Sequence, residues 1–502
     1  MNKNLTLLIG CIFLIGSYGY AQKAPKAKYS ANVPENILTP DKVETELLGA
    51  LEFSDGMPGD ATVNKVYDFL DISRGVQAFL NGMPAASIQA MLEGLKDAGL
   101  EPGDIGICES LMDARTLFLT PNSTTQYITG EIDLKDGPVV MEIGAPVLGC
   151  IDDAFFRYVS DIGLTGPDRG AGGKYLFVGP GYEGEIPEGY IVVHSATYKN
   201  WLLLRAFVND GDLKASVDQF KNNYKSYPLA QADNPPEQKF VDLSGMQFNT
   251  IHANDEHFFE ELNKVVQYEP ADAFNPELVG LFASIGIKKG QPFAPDERMQ
   301  KLLKDAAAIA NASARAICFR PRNNDVYFYP DRQWYSSFAG GSHEFMNNGE
   351  LVLDDRSMFH YGATVITPSM TFAKPGTGSA YAFTPHDSKG KYLDGGKTYK
   401  ITLPAPIPAK DFWSFMVYST QHRSMLETNQ KFAGLDSNNP SVKANEDGSY
   451  TMWFGPEAPD GHEGNWIQTI PGKGFCVILR LYGPLEPWYD KTWKPGDFEL
   501  VD

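Results

Sequence analysis

The sequence predicts an α+β protein with a helical N-terminal part and two jelly-roll-like antiparallel β-sandwich domains, with helices between them. Tyr, Phe and Trp make up 12% of the chain and occur with 48 Gly and 34 Pro, which favours short strands joined by turns. Helical periodicity is confined to the N-terminal part and the middle of the chain. Strand-like segments recur in one order in both halves. At 502 residues, the chain is long enough for two or three domains.

The first 21 residues are typical of a signal peptide. The short basic start MNKN precedes the apolar run LTLLIGCIFLIGSYGY, and the small residues that follow predict cleavage after Ala21. The alternative is a lipoprotein cleavage at Cys11, which would leave an apolar mature N-terminus. No later apolar run is long enough to span a bilayer. We therefore expect an exported protein, periplasmic or extracellular, without a membrane span.

The next region, up to residue 115, is predicted to be a leader followed by two helices. The first helix has apolar residues at a 3.6-residue period after Asp60, and the second begins at Pro84 and ends at Gly99. The remaining predicted segments are a β-sandwich (116–210), a helical connection (211–320), a linker and packing segment (321–375) and a second β-sandwich (376–502).

The two sandwiches are predicted to be copies of one unit. The segments KYLFVGPGYEG (174–184) and SYTMWFGPEAPDG (449–461) share a Tyr, an apolar run and Gly-Pro. Four further segments match in the same order, among them FFRYVSD with FWSFMVYS. The closing strand of each half carries one Arg after three apolar residues, Arg205 and Arg480. Five matches in one order predict a duplicated domain.

Charge and metal-ligating residue types limit the partners. The net charge of −20 argues against nucleic acid and anionic membranes. The cysteines after the leader show no metal-ligand spacing. In an exported protein they either form disulfides or are buried as free thiols. Free thiols are favoured, because a chain of this size does not need disulfides to stabilise its core. They are Cys108, Cys150, Cys318 and Cys476. The eight His have no metal-binding spacing either, so we predict no cofactor, although three His from distant segments could converge.

Arginines in apolar strands are the most informative polar residues. Arg157, Arg205 and Arg480 interrupt runs that are otherwise apolar. A buried strand Arg either forms a structural ion pair or binds an anionic ligand through its planar guanidinium. Tryptophans near these strands either belong to the core or form a platform for sugar rings.

Two long blocks resemble known domain families. The block PNSTTQYITGEIDLKDGPVVMEI, with KYLFVGPGYEGEIPEGY and NWLLLRAFV, resembles the domain of unknown function 1254. The block from YAFTPHDSKG to GFCVILRLYGP is similar to its usual companion, the domain of unknown function 1214. The resemblance covers most of residues 60–490 and implies bacterial export and two jelly-roll-like sandwiches, but no settled reaction. The chain departs from the first family at Thr124, where that family usually has Asp, so an activity that depends on this Asp should be absent.

We predict an exported enzyme of hydrolytic type that acts on a small molecule or a glycan bound between the sandwiches. His422 is the candidate base near pH 7, and Arg205 is the candidate contact for an anion or oxyanion. The candidate substrate-binding residues are Asn122, Tyr127, Arg157, Trp413, Arg423 and Trp466. The alternative is a non-catalytic ligand- or carbohydrate-binding protein of the cell envelope, which the lack of a recognisable nucleophile or metal motif favours. Homo-oligomer formation stays open.

Overall fold

The protein is described by a computed structural model that covers residues 29, 31–207, 211–371 and 374–501. The predicted signal peptide and its cleavage site lie outside the described residues. Within them, helices and sheets confirm the predicted α+β class, and no helix is both long and apolar enough to cross a membrane. The helices are α1 (Asp60–Asp97), α2 (Leu213–Asn222), α3 (Phe258–Tyr268), α4 (Pro276–Ser284), α5 (Glu297–Phe319), α6 (Leu353–Gly362) and α7 (Glu486–Tyr489). The strands are β1 (Lys42–Thr45), β2 (Gly49–Ser54), β3 (Met57–Pro58), β4 (Ile105–Ile107), β5 (Gln126–Asp133), β6 (Val139–Ile143), β7 (Val147–Asp153), β8 (Tyr158–Gly163), β9 (Gly173–Val178), β10 (Ile191–His194), β11 (Lys199–Ala206), β12 (Tyr224–Pro228), β13 (Phe240–Asp242), β14 (Met346–Asn347), β15 (Glu350–Leu351), β16 (Ser379–Thr384), β17 (Tyr399–Leu403), β18 (Ala409–Ser419), β19 (Gly434–Asp436), β20 (Tyr450–Gly455), β21 (Trp466–Gln468), β22 (Phe475–Pro484) and β23 (Glu499–Leu500).

The chain divides into two compact units, and the division falls after Tyr67. In the first unit, β1, β2 and β3 form an antiparallel sheet that the sequence did not predict. Thr62 on the first turn of α1 joins β2, since its hydroxyl accepts from the Glu52 amide at 2.8 Å and donates to the Glu52 carbonyl at 3.1 Å. All further elements belong to the second unit.

Helix α1 corrects the prediction of two helices. It runs without a break through Pro84, which lacks the N–H that would bond the Leu80 carbonyl. Burial of its apolar residues offsets that loss, because this part of the helix lies fully inside the protein. A Cβ atom at Gly75 would lie 2.6 Å from the Cβ of Ala306, so glycine allows α1 to approach α5 closely.

The first sandwich pairs a four-stranded sheet of order β10-β9-β6-β12 with a six-stranded sheet of order β13-β4-β5-β11-β7-β8. The sheets are mainly antiparallel, with parallel pairs at β10–β9 and β13–β4. Alternation along β11 sends Leu202 and Leu204 into the sandwich core. Trp201, Leu203 and Arg205 therefore lie on the outer face of the six-stranded sheet.

The second sandwich repeats this topology. Its sheets have the orders β16-β22-β18-β19 and β21-β20-β17-β23, which reproduce β5-β11-β7-β8 and β10-β9-β6-β12 strand for strand. The outer strand pair is again parallel, β21 with β20. One predicted match is wrong, because β18 takes the place of β7 and not that of β8, whose equivalent is the short β19. On β22, Ile478 and Arg480 lie on the outer face, as Leu203 and Arg205 do on β11.

Candidate functional site

A cavity lies between the outer faces of the two sandwiches. Its volume is about 120 Å³, close to the roughly 150 Å³ of an apolar cavity that accepts benzene. The first sandwich contributes Tyr127, Leu203 and Arg205, and the second contributes Tyr381, Phe383, Ile478 and Arg480. The segment between them adds Tyr335, Ser336, Met358, Phe359 and Val365. The cavity thus has an apolar wall and two guanidinium groups.

The two sandwiches contribute the same pair of side chains to this cavity. Arg205 on β11 faces Tyr127 on β5 across the strands, and Arg480 on β22 faces Tyr381 on β16 in the same way. The Cζ atom of Arg205 lies 5.8 Å from the ring centroid of Tyr127, and that of Arg480 lies 5.7 Å from the ring centroid of Tyr381. The duplication therefore places two equivalent Arg–Tyr pairs around one space.

Arg480 is held firmly but incompletely bonded. It is 4% exposed and donates to the Tyr418 hydroxyl at 2.7 Å and to the Thr120 carbonyl at 2.7 Å. Tyr418 in turn donates to the carbonyl of Pro121 at 2.6 Å. The Nε atom of Arg480 is buried without a hydrogen-bond partner. One donor of this guanidinium is thus left for a ligand.

Neither guanidinium in the cavity has a carboxylate partner. The charged and polar neighbours of Arg205 and Arg480 are tyrosines, and Arg205 lies in hydrogen-bonding contact with the Tyr381 hydroxyl. Among the described residues that line the cavity there is no Asp or Glu. Buried charges are costly unless an opposite charge or hydrogen bonds compensate them. An anion placed in the cavity would supply the opposite charge that these residues lack.

Tyr381 lies between the two guanidinium groups. Burial by itself would raise the pKa of its phenol, but the charges of Arg205 and Arg480 and the hydrogen bond from Arg205 together outweigh burial. The pKa of Tyr381 is therefore below the ordinary tyrosine value of about 10. The Tyr381 hydroxyl therefore loses its proton at lower pH than an ordinary tyrosine hydroxyl does.

Asn122 positions Tyr127, a second tyrosine of the cavity lining. Its amide and its Nδ2 donate to the Tyr127 hydroxyl at 3.1 and 2.9 Å. Its Oδ1 accepts from the backbone amides of Thr124 and Thr125 at 2.9 and 3.0 Å. The hydroxyl of Thr124 is 3.0 Å from the Tyr482 hydroxyl. This neutral network orients Tyr127 without adding charge to the cavity.

Three predicted residues lie at other cavities. Arg157 is paired with Asp153 at 2.6 Å and lines a second cavity. His422 and Arg423 line a separate depression beside His252. Burial, followed by the nearby Arg423 charge, lowers the pKa of His422. The structure therefore does not bring His422 and Arg205, the two predicted catalytic residues, into one cavity.

The two predicted tryptophans lie within the second sandwich. The Trp413 ring packs edge-on against Tyr450, with 5.1 Å between centroids. The Nε1 of Trp466 donates to the Gly455 carbonyl at 3.0 Å. Neither lines the cavity between the sandwiches.

Arg480 and Tyr381 line the cavity, although neither is among the predicted site residues. The sequence contains a signal for both. Arg205 and Arg480 were already matched as equivalents, and the strand that pairs with each carries a Tyr opposite the Arg. For metals, the described residues contain no cluster of three or more His, Cys, Asp or Glu able to hold an ion.

Comparisons with known proteins agree with the fold. Residues 103–228 match the family model described as protein of unknown function (DUF1254), and residues 378–486 match protein of unknown function (DUF1214), which confirms the predicted pairing and its order. The crystal structure of the VPA0106 protein from Vibrio parahaemolyticus is similar, with a TM-score of 0.51, 18% identity and coverage of 86% of this chain and 100% of that one. A putative uncharacterized protein from Burkholderia cenocepacia aligns with a TM-score of 0.40, 11% identity and coverage of 87% and 96%. No curated protein matches the chain.

Proposed function

We propose that this chain, which pairs DUF1254 with DUF1214, binds a small monocarboxylate with a compact apolar body in the cavity between the two sandwiches. The observation that carries the proposal is the presence of two guanidinium groups in a mainly apolar cavity without any carboxylate among the described lining residues.

The chemistry of the lining suits such a ligand. A carboxylate accepts hydrogen bonds from planar guanidinium groups in fixed geometry, and the unpartnered Nε of Arg480 offers one of these donors. Leu203, Phe383 and Ile478 offer apolar surface for the rest of the molecule. The volume of about 120 Å³ limits that body to about the size of one benzene ring.

Titration calorimetry with benzoate and with its neutral counterpart benzamide tests the proposal. We expect benzoate to bind, and benzamide to bind much more weakly because it brings no charge. Arg205→Met should weaken benzoate binding by about 10- to 150-fold, since a hydrogen bond to a charged group contributes about 1.5–3 kcal/mol. Arg169→Met is the matched control, because Arg169 is exposed and lines neither cavity.

Two results would contradict the proposal. Equal affinities for benzoate and benzamide would show that charge does not select the ligand. An Arg205→Met protein that remains folded by circular dichroism and binds benzoate as tightly as the native protein would remove the guanidinium from the site.

Catalysis in the same cavity is the second candidate, in line with the hydrolytic activity predicted from the sequence. Tyr381 favours it, because an ionised phenol between two arginines would accept a proton from a bound molecule. Incubating the mature protein with an extract of small molecules and following masses over time separates the two functions. A compound that changes mass with the native protein, but not with Tyr381→Phe, indicates an enzyme; a compound retained unchanged indicates a binding protein.

We also propose that the protein is exported by a leader cleaved after Ala21. Its support is the apolar run followed by small residues. N-terminal sequencing of protein from the periplasm or medium should begin at Gln22. A lipid-modified N-terminus at Cys11 would instead identify the protein as a membrane-anchored lipoprotein. An intact Met1 would show that no leader is cleaved.

A further inference from the structure

A second cavity lies beside the first sandwich, on helix α6. Its volume is about 530 Å³, within the range of about 300–1,000 Å³ typical of small-molecule sites. The end of the first sandwich contributes Asp153, Phe155, Phe156, Arg157, Tyr158 and His194, and α6 with its preceding loop contributes His343, Phe345, Arg356 and His360. Unlike the described lining of the cavity between the sandwiches, the lining of this one includes histidines, namely His194, His343 and His360.

His360 is a buried side chain with an unused hydrogen-bonding atom. It is 2% exposed, and its Nδ1 has no partner. The ring packs against Phe156 and Phe345, with centroid distances of 5.1 and 5.6 Å. Burial, followed by the charge of Arg356, holds the pKa of His360 well below its usual range. The neutral imidazole adds no charge to this cavity but offers one hydrogen bond to a ligand.

Arg356 lies one helical turn before His360 and supplies the uncompensated charge. Its Nη2 donates to the Asn81 Oδ1 at 2.6 Å, and its Nε is buried without a partner. Burial lowers its pKa, but an arginine remains charged at neutral pH. The other arginine of the cavity, Arg157, is already neutralised by Asp153.

The charges therefore specify a ligand with one negative charge. Glu344, the remaining carboxylate of the lining, is exposed to solvent, so it compensates Arg356 poorly. An unused guanidinium donor and an unused imidazole nitrogen on the same helix face require a ligand with both an anionic and a neutral polar group. The phenylalanine rings that line this cavity favour a ligand that also has an apolar face.

We propose that this second cavity binds a hydroxyl-bearing monoanion of the acidic-monosaccharide class, with its carboxylate at Arg356 and a hydroxyl at His360. The rings of Phe156 and Phe345 cover the apolar face of the sugar. The site is distinct from the cavity between the sandwiches, although α6 contributes to both, with Met358 and Phe359 on one side and Arg356 and His360 on the other.

Calorimetric titration of the full mature chain with glucuronate, and with glucose as the uncharged counterpart, tests this inference. We expect glucuronate to bind and glucose to bind at least tenfold more weakly. Arg356→Met should weaken glucuronate binding by about 10- to 150-fold through loss of a charged hydrogen bond. His360→Phe keeps a ring of similar size and should weaken it by about 2- to 10-fold through loss of a neutral one.

The control variants separate the two cavities. Arg205→Met and Arg169→Met should leave glucuronate affinity unchanged, and Arg356→Met should leave benzoate affinity unchanged. Circular dichroism checks that each variant is folded. Failure of glucuronate to bind, equal binding of glucose, or unchanged affinity in both folded α6 variants would each overturn the inference, whatever the outcome with benzoate.

Discussion

Replacing Tyr381 by Phe removes one hydroxyl from between two guanidinium groups and leaves the ring in place. In the native protein this phenol should ionise at lower pH than an ordinary tyrosine, because Arg205 and Arg480 stabilise the phenolate more than burial destabilises it. The variant lacks the group and should lack this early ionisation. The comparison isolates one tyrosine among the 24 in the chain.

The structure gives the size of the interaction. The Cζ atom of Arg480 lies 5.7 Å from the Tyr381 ring centroid, and unit charges at that separation attract by about 3 kcal/mol at an effective dielectric constant of about 20. Arg205 adds its own attraction through the hydroxyl contact. The folded protein therefore releases this proton before the unfolded chain does. Rising pH should then stabilise the native protein relative to Tyr381→Phe by up to about 1.4 kcal/mol per pH unit, between the lowered pKa and about 10.

Ultraviolet difference titration measures tyrosinate directly, and urea unfolding at several pH values measures the stability difference. The native protein should gain tyrosinate absorbance below pH 10 that Tyr381→Phe lacks, and Arg205→Met should shift that gain to higher pH. Superimposable titrations of native and variant proteins would refute the reasoning. A stability difference that stays constant as the pH rises toward 10 would refute it as well.

Three further predictions concern stability. Asp152→Asn removes a carboxyl whose pKa is well above its usual range, mainly because of burial, and the new amide oxygen can still accept the Ile366 N–H, which is bonded at 3.0 Å. The free energy of unfolding of the native protein should fall by up to about 1.4 kcal/mol per pH unit as the pH rises above about 4. Urea unfolding of the variant should not show this pH dependence, and equal pH dependences would contradict the prediction. A reducing agent should leave the melting temperature unchanged, because the four described cysteines are buried free thiols; a lower temperature would indicate a disulfide. Gly149→Ala should lower the free energy of unfolding by about 1–3 kcal/mol, because its Cβ would lie 2.1 Å from the Leu203 carbonyl oxygen and would push β7 away from β11. Thermal unfolding measures this loss, and an unchanged melting temperature would show that the two strands can move apart without it.

The fold was predictable wherever local pattern decides it. Turn residues between short apolar runs indicated strands, and the order of those runs indicated two copies of one sandwich. Pattern does not record which strands are neighbours, so the segment that forms β18 was matched to β8 when it occupies the place of β7. Similarly, a proline such as Pro84 usually marks the start of a helix. Only the burial of its neighbours in the folded protein explains how α1 continues through it.

The candidate site was predictable only in part. Arg205 is predicted as an arginine in an apolar strand and Tyr127 as a substrate-binding residue, and both line the cavity. His422 was chosen because its ordinary pKa suits a base, a property of the residue type that says nothing about its position. The arginine-bearing face of β11 follows from alternation with Leu202 and Leu204. The partner of that face is set by contacts between segments that are distant in the chain. A single sequence gives no information on these contacts.

The cavity between the sandwiches is a consequence of duplication. A single sandwich of this kind presents one Arg–Tyr pair on the outer face of one sheet, where water would solvate the guanidinium. When the outer faces of two copies are opposed, the guanidinium groups of Arg205 and Arg480 are brought to one space that excludes much of this water. In the proposed anion site, each copy supplies one of the two guanidinium groups. The arrangement needs both domains in one chain, because residues of both sandwiches line the cavity.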